Sequence, residues 1–274
     1  MGIMTLSKLK QMYRRISAVV YSRPRLGKTT MLKEILKEGD LLFVMFYDRG
    51  LPDLLTWEEI KEWDVDTLLR ATSDKSILDV RKNLTWFDKK IKECIEKGVE
   101  PWRIWFAIDT VTHLEKEFLT ECRTIQLKGA GTDLVVSEDL QRDANVQFDY
   151  NVVQSWMQEV VSRSMALPCN VIFFALEKYD KEEKLYMPQL TGQNVSKVSG
   201  DVQLVARMIH HGKTGSKRVL ICRSQPNCIA GARGGRTVLN ENEPPSLIRI
   251  RNKLLGINVG VSDGSTSQVG EKVE

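Results

Sequence analysis

The chain has 274 residues, 42% of them hydrophobic and 28% charged, with a formal net charge of +4. That composition fits an ordinary globular protein with room for one large α/β domain or two small ones. No apolar run reaches the roughly 18 residues of a membrane span, and no apolar stretch follows the basic start (Lys8, Lys10, Arg14, Arg15), so neither a span nor a signal peptide is expected and a cytosolic location is.

Residues 1–15 read as a basic lead-in, and the apolar run Ile16 to Tyr21 as a buried strand. It delivers Ser22-Arg23-Pro24-Arg25-Leu26-Gly27-Lys28-Thr29-Thr30, and the helix-like Met31 to Leu36 follows. Strand, turn ending in Gly-Lys-Thr, then helix is the arrangement in which backbone N–H groups and a helix dipole surround a phosphate chain. In that pattern Lys28 reaches the β- and γ-phosphates and the Thr29 hydroxyl helps to hold Mg²⁺. The whole stretch from Ser22 to Thr30 is therefore expected to bind a nucleotide. Two positions depart from the usual G-x-x-x-x-G-K-[ST] loop: Ser22 replaces its first glycine, and Arg25 stands where many such loops carry another. Both reduce the freedom of the backbone to take positive φ, which leaves the speed of nucleotide turnover open.

Gly39 is expected to cap the first helix, and Leu41 to Phe46 forms a second continuous apolar run that ends in Tyr47-Asp48-Arg49-Gly50. An acid at the C-terminal end of a strand lies where open α/β sheets bind ligands; Asp48 reads as a site residue or as a strand-end turn residue. From Ser76 to Lys97 the residues Ile77, Val80, Leu84, Phe87, Ile91, Cys94 and Ile95 recur at helical spacing, predicting an amphipathic helix of about six turns. The strand from Arg103 then ends in Asp109, the second half of the phosphate-site pattern, in which the carboxylate takes the metal side.

Residues 128–150 show no clear periodicity and are expected to form a mobile excursion. A helix with the stripe Val153, Trp156, Met157, Val160 and Val161 follows, then a third buried strand, Asn170 to Leu176, ending in Glu177-Lys178. Glu177 reads as a γ-phosphate sensor or as a solvated strand end. A charged hairpin is expected from Lys178 to Tyr186, a loop from Pro188 to Gly200, a helix from Asp201 to His210 and a strand from Lys217 to Arg223. A glycine-flanked basic loop covers Ala230 to Arg236, a last apolar element runs from Leu247 to Leu255, and the Ser/Gly-rich tail 258–274 is expected to be disordered.

The five cysteines form no C-x-x-C pair and read as reduced core thiols; the three histidines are too scattered for zinc. Between Asp201 and Gly256 ten Lys/Arg stand against three acids. Such a basic third suits a polyanionic partner or a solvated surface.

Taken in order, Lys28-Thr29-Thr30, the strand leading to Asp109-Thr110-Val111-Thr112-His113-Leu114, Phe173-Phe174-Ala175-Leu176-Glu177, Pro188-Gln189-Leu190-Thr191-Gly192, the segment at Asp201 and the Ala232-Arg233 loop before Pro244-Pro245 resemble the RecA-like ATPases of phages, in particular the Sak-type recombination group. The resemblance covers roughly residues 16–257 as one RecA-like P-loop core, a mostly parallel sheet flanked by helices. It implies ATP and Mg²⁺ as cofactors, with Thr29 and Asp109 on the metal. It also implies single-stranded DNA as partner, a ring or filament of identical subunits, and the host cytoplasm as location. Asp48 stands where these proteins carry a water-activating glutamate; its side chain is one methylene shorter, so its reach is about 1.5 Å less. Arg233 and Arg236 fall where such assemblies present a basic residue to the neighbour's nucleotide. DNA is expected along residues 192–200 and 213–218. Two alternatives are a non-catalytic module switched by nucleotide and a helicase or packaging-type motor.

Overall fold

The structure is a computed structural model that describes residues 15–47, 69–73, 75–129, 146–211, 217–233 and 238–257. The expectations for residues 1–14, Asp48, residues 130–145, Arg236 and the tail from 258 lie outside these.

The sheet is built on β1 (Ser17–Ser22), β2 (Leu41–Phe46), β3 (Leu69–Thr72), β4 (Ile104–Asp109), β5 (Asn170–Asp180) and β7 (Leu204–His211). These six run parallel in the order β7-β1-β5-β4-β2-β3. Antiparallel strands are added to these: β8 (Lys217–Ile221) extends the sheet beyond β7 and β10 (Asn242–Glu243) beyond β8, while β6 (Leu185–Pro188) pairs with the C-terminal part of β5 and β9 (Gly231–Ala232) with the start of β7. Among the described residues, six α-helices join them: α1 (Lys28–Lys37), α2 (Ile77–Glu96), α3 (Val111–Gly129), α4 (Val146–Ala166), α5 (Asn194–Asp201) and α6 (Leu247–Leu255).

Why the central strands read as unbroken apolar runs follows from burial on both faces. Val19, Tyr21, Phe43, Met45, Phe106, Ile108, Val171 and Phe173 point to the face covered by α2, α3 and α4. Their neighbours Ala18, Val20, Leu42, Val44, Trp105, Ala107, Ile172 and Phe174 point to the face covered by α1 and α6. The α2 stripe of Ile77, Val80, Leu84, Phe87 and Ile91 is buried, as its spacing predicts. Helix α6 is locked beneath α1 by Arg251, whose guanidinium donates to Asp40 at 2.5 Å and lies over the Trp102 and Trp105 rings. Arg103 and Trp105 donate to the same carboxylate.

Two expectations are corrected. Most of the helix predicted over Asp201–His210 is strand β7, Leu204–His211; the helix in this region is Asn194–Asp201, which lies in the predicted loop Pro188–Gly200 but for its last residue. Leu204, Val205, Ala206 and Met208 are all buried because β7 lies beside β1 with both faces covered, so its pattern lacks the alternation that marks a strand. Helix α4 already includes residues 146–150, which were assigned to the excursion.

The register places the C-terminal ends of the parallel strands at one edge. Ser22 pairs with Leu176, Asp109 with Phe174, Phe46 with Asp109, and Tyr21 with Arg207. From β1 the chain crosses to β2 on one side, while β7 flanks β1 on the other. The loop after β1 therefore stands where the strand order reverses, the place at which open α/β sheets leave a crevice.

Candidate active site

The turn from β1 into α1 is shaped by two left-handed residues, Arg25 at φ 60° and Gly27 at φ 92°. Gly27 is the N-cap of α1 and supplies no side-chain cap, and the first turn carries no acid. The start of α1 and the positive end of its dipole thus lie at the crevice with no acidic residue in the helix's own first turn, a setting that suits an anionic ligand. The two departures from the usual loop differ physically. Ser22 is the last residue of β1 and has no positive φ, so a glycine is not needed there; Arg25 takes the left-handed conformation without one.

Lys28 is 6% exposed, and its Nζ donates to Ser22 Oγ at 3.0 Å and to the Arg23 carbonyl at 3.3 Å. The serine in place of glycine therefore holds the loop lysine across the turn. Thr29 Oγ1 donates to Asp109 Oδ2 at 2.6 Å, which brings together the two residues that the sequence assigns to the metal side. Asp109 is 1% exposed. No cluster of three or more His, Cys, Asp or Glu suited to a metal is present among the described residues. A hydroxyl, one carboxylate and phosphate oxygens suit Mg²⁺, which keeps several waters and does not need an all-protein cage. Lys28, the uncapped helix start and the Thr29–Asp109 pair together fit a Mg²⁺–triphosphate.

Glu177 lies within β5, since that strand continues to Asp180. Its carboxylate accepts from Arg23 Nε through one oxygen and from Arg207 Nε through the other, each at 3.0 Å. Arg207 also lies 3.5 Å from the centre of the Tyr186 ring. With both oxygens engaged and 7% of the side chain exposed, Glu177 is placed as a brace between the loop and β7. Tyr21 supports the same corner: its one O–H proton is shared between the Ile229 carbonyl at 2.8 Å and the Tyr186 carbonyl at 3.0 Å, and burial pushes its phenol pKa upward. Thr112 Oγ1 accepts from the Leu176 N–H, tying the start of α3 to β5 next to Glu177.

Arg233 is not part of this assembly. Its N–H donates to the Gln203 carbonyl, and Gln203 N in turn donates to the Ser17 carbonyl, at the start of β1. Arg233 thus lies at the opposite edge of the sheet, roughly 15–20 Å from the loop at a rise of about 3.3 Å per residue. Within one subunit it does not reach this site. Asp48 lies outside the described residues. The sequence reading missed Arg207, although a cation inside the buried run Leu204–Met208 is itself a signal. Arg218, expected from the sequence in the DNA-binding segment 213–218, is placed by β8 at the phosphate loop, on the Leu26 carbonyl.

The sequence matches the AAA domain family over residues 14–234. The chain belongs to that family. It is an AAA-domain protein with a nucleotide-binding P-loop, and the α/β sheet described above is its core. Among solved structures, an ATPase from the type III secretion system of pathogenic bacteria is similar at 13% identity and a TM-score of 0.47, over 87% of this chain and 61% of that one. This chain thus spans less than two thirds of that ATPase. No curated protein matches. Among the described residues no helix of this AAA-domain chain is long and apolar enough to cross a membrane.

Proposed function

We propose that this AAA-domain protein binds and hydrolyses ATP with Mg²⁺ and acts as a RecA-like subunit on single-stranded DNA in phage recombination or replication. The observation that carries the nucleotide half is the Thr29–Asp109 hydrogen bond at the uncapped start of α1. Thr29 and Asp109 would hold the metal, which supplies charge neutralisation on the triphosphate oxygens. Lys28 carries a fixed positive charge to the same oxygens, and the α1 N–H groups orient them. Asp48 would hold the attacking water from the end of β2, a role that rests on the sequence resemblance. In this reading Glu177 positions the loop and does not abstract a proton.

The DNA half rests on the resemblance to Sak-type proteins and on the basic segment Asp201–Gly256. Arg233, remote from its own subunit's loop, is suited only to acting in trans, so the reading requires a ring or filament. Its place of action would be the host cytoplasm. The test is ATP turnover by wild type and Lys28→Ala, with and without single-stranded DNA. Turnover that is accelerated by DNA and abolished by Lys28→Ala supports the proposal; turnover unaffected by Lys28→Ala refutes the enzyme reading, and turnover indifferent to DNA refutes the partner.

A further inference from the structure

Three arginines reach the mouth of the phosphate loop, and they are not equivalent. Arg23 and Arg207 share the Glu177 carboxylate. Arg218 comes from β8, opposite His210 in the register, at the same sheet edge as the loop. Its Nη1 donates to the Leu26 carbonyl at 3.2 Å, and this neutral acceptor is its hydrogen-bond partner among the described residues. A guanidinium has five donors and a full charge, so one carbonyl leaves most of its capacity unused. The contact also depends on the residue beneath it: a Cβ on Gly27 would lie 2.0 Å from Arg218 Nη1. Gly27 therefore serves both its left-handed backbone and the close approach of this arginine.

We propose that Arg218 is a ligand of the nucleotide's terminal phosphates, supplied by the same chain from outside the loop. The inference rests on the reading of the loop as an ATP site. The guanidinium already lies on the carbonyl of Leu26, the residue before the Gly27-Lys28 pair, and four rotatable side-chain bonds let it turn from that carbonyl to an oxyanion. A phosphate offers two anionic oxygens to the planar fork, whereas the Leu26 carbonyl offers one uncharged acceptor, so the pair with phosphate gains a second hydrogen bond and an opposite charge. Beside it lies a cavity of about 210 Å³, lined by Arg23, Glu177, Arg207 and His210 among others. Leu26, whose carbonyl holds Arg218, also lines this cavity, so with Arg23 and Arg207 the corner holds more cationic groups than the one carboxylate balances. Strand β8 is therefore part of the phosphate site, and Arg218 adds selectivity for di- and triphosphates over monophosphates.

The experiment is equilibrium binding of Mg²⁺–ATP and of AMP to wild type, Arg218→Gln, Arg218→Ala and Arg218→Lys. Arg218→Gln keeps a donor for the Leu26 carbonyl and removes the charge. Loss of a hydrogen bond to a charged group predicts ATP affinity lower by about 10-fold or more for the Gln and Ala variants, with a smaller loss for Lys and AMP affinity unchanged. ATP affinity equal to or tighter than wild type in both neutral variants overturns the proposal, since Arg218 is then a brace or a plug. Equal losses for ATP and AMP overturn it as well. If wild type binds ATP and only the Arg218 effect is absent, this inference falls alone; if wild type does not bind ATP, the nucleotide reading falls with it.

Discussion

Ser22 and Lys28 are joined across the phosphate loop by a 3.0 Å hydrogen bond from the lysine ammonium to the serine hydroxyl. Ser22 Oγ donates onward to the Arg23 carbonyl, so the hydroxyl stands between a buried cation and the loop backbone. Ser22→Ala removes this relay in a site with 0% exposure. The expected cost is about 1 kcal/mol, a fall in melting temperature of roughly 2–4 °C, measured by thermal unfolding. Ser22→Gly, which restores the usual loop sequence, is expected to be worse, because glycine adds chain entropy of about 0.5–1 kcal/mol where no positive φ is needed. A glycine variant more stable than wild type would contradict this account of position 22.

Arg25 predicts the opposite sign. Its φ of 60° places a side-chain-bearing residue in the left-handed region. That conformation costs roughly 1–2 kcal/mol for an L-residue. Arg25→Gly is expected to leave stability unchanged or raised by about 0.5 kcal/mol after its greater chain entropy is counted. Arg25→Val, β-branched in the same conformation, is expected to lower it by more than about 1 kcal/mol. Chemical denaturation of the two variants gives the order, and a valine variant as stable as the glycine one would remove the argument.

Glu177 sits between an exposed and a buried arginine, and its two ion pairs are unequal for that reason. The Arg23 side chain is 70% exposed, whereas that of Arg207 is 9% exposed. Glu177→Gln strands the buried guanidinium, and is expected to cost about 3 kcal/mol, or roughly 10 °C in melting temperature. Arg23→Ala breaks a solvent-screened pair and is expected to leave the melting temperature close to wild type. Equal effects in a thermal melt would show that the brace to β7 carries no special weight.

The thiols provide a check on the core. Cys122, Cys169, Cys222 and Cys228 are buried, and Cys94 is half-buried. Burial raises the Cys169 and Cys228 pKa values and pushes that of Cys222 up to about 12. A raised pKa lowers the thiolate fraction at any given pH, and only the thiolate reacts. At about pH 8 a thiol reagent is therefore expected to modify Cys94 alone in the native protein and all five cysteines after denaturation. Rapid native labelling of Cys169 or Cys222, read by mass spectrometry, would contradict the packing of β5 or β8.

Much of the nucleotide edge was legible because parallel strands with both faces covered leave continuous apolar runs, and the polar residue ending each run marks the edge. Ile16–Tyr21, Leu41–Phe46 and Asn170–Leu176 announced themselves in this way, as did the strand ending in Asp109. The same double burial hid β7, whose run of Leu204 to Met208 has no two-residue alternation and sits after a segment with helical composition. Contacts between distant strands were not legible at all. Arg218 meets Leu26 over 192 residues and Arg23 meets Glu177 over 154, and nothing local to either partner records the meeting. Arg233 illustrates the converse: the resemblance implies a role at a nucleotide, and its placement beside Gln203 sets it far from the phosphate loop of its own chain.

In the proposed function, Lys28, Thr29 and Asp109 together hold a metal-bound triphosphate. Equilibrium binding of ATP to wild type, Lys28→Ala and Asp109→Asn, each with Mg²⁺ and with EDTA, tests it most directly. Lys28→Ala is expected to weaken binding by about 10- to 100-fold in either condition, from the loss of a charged hydrogen bond. Asp109→Asn is expected to abolish the gain that Mg²⁺ gives to wild type. Wild-type affinity in Lys28→Ala, or a Mg²⁺ effect that survives in Asp109→Asn, would contradict it.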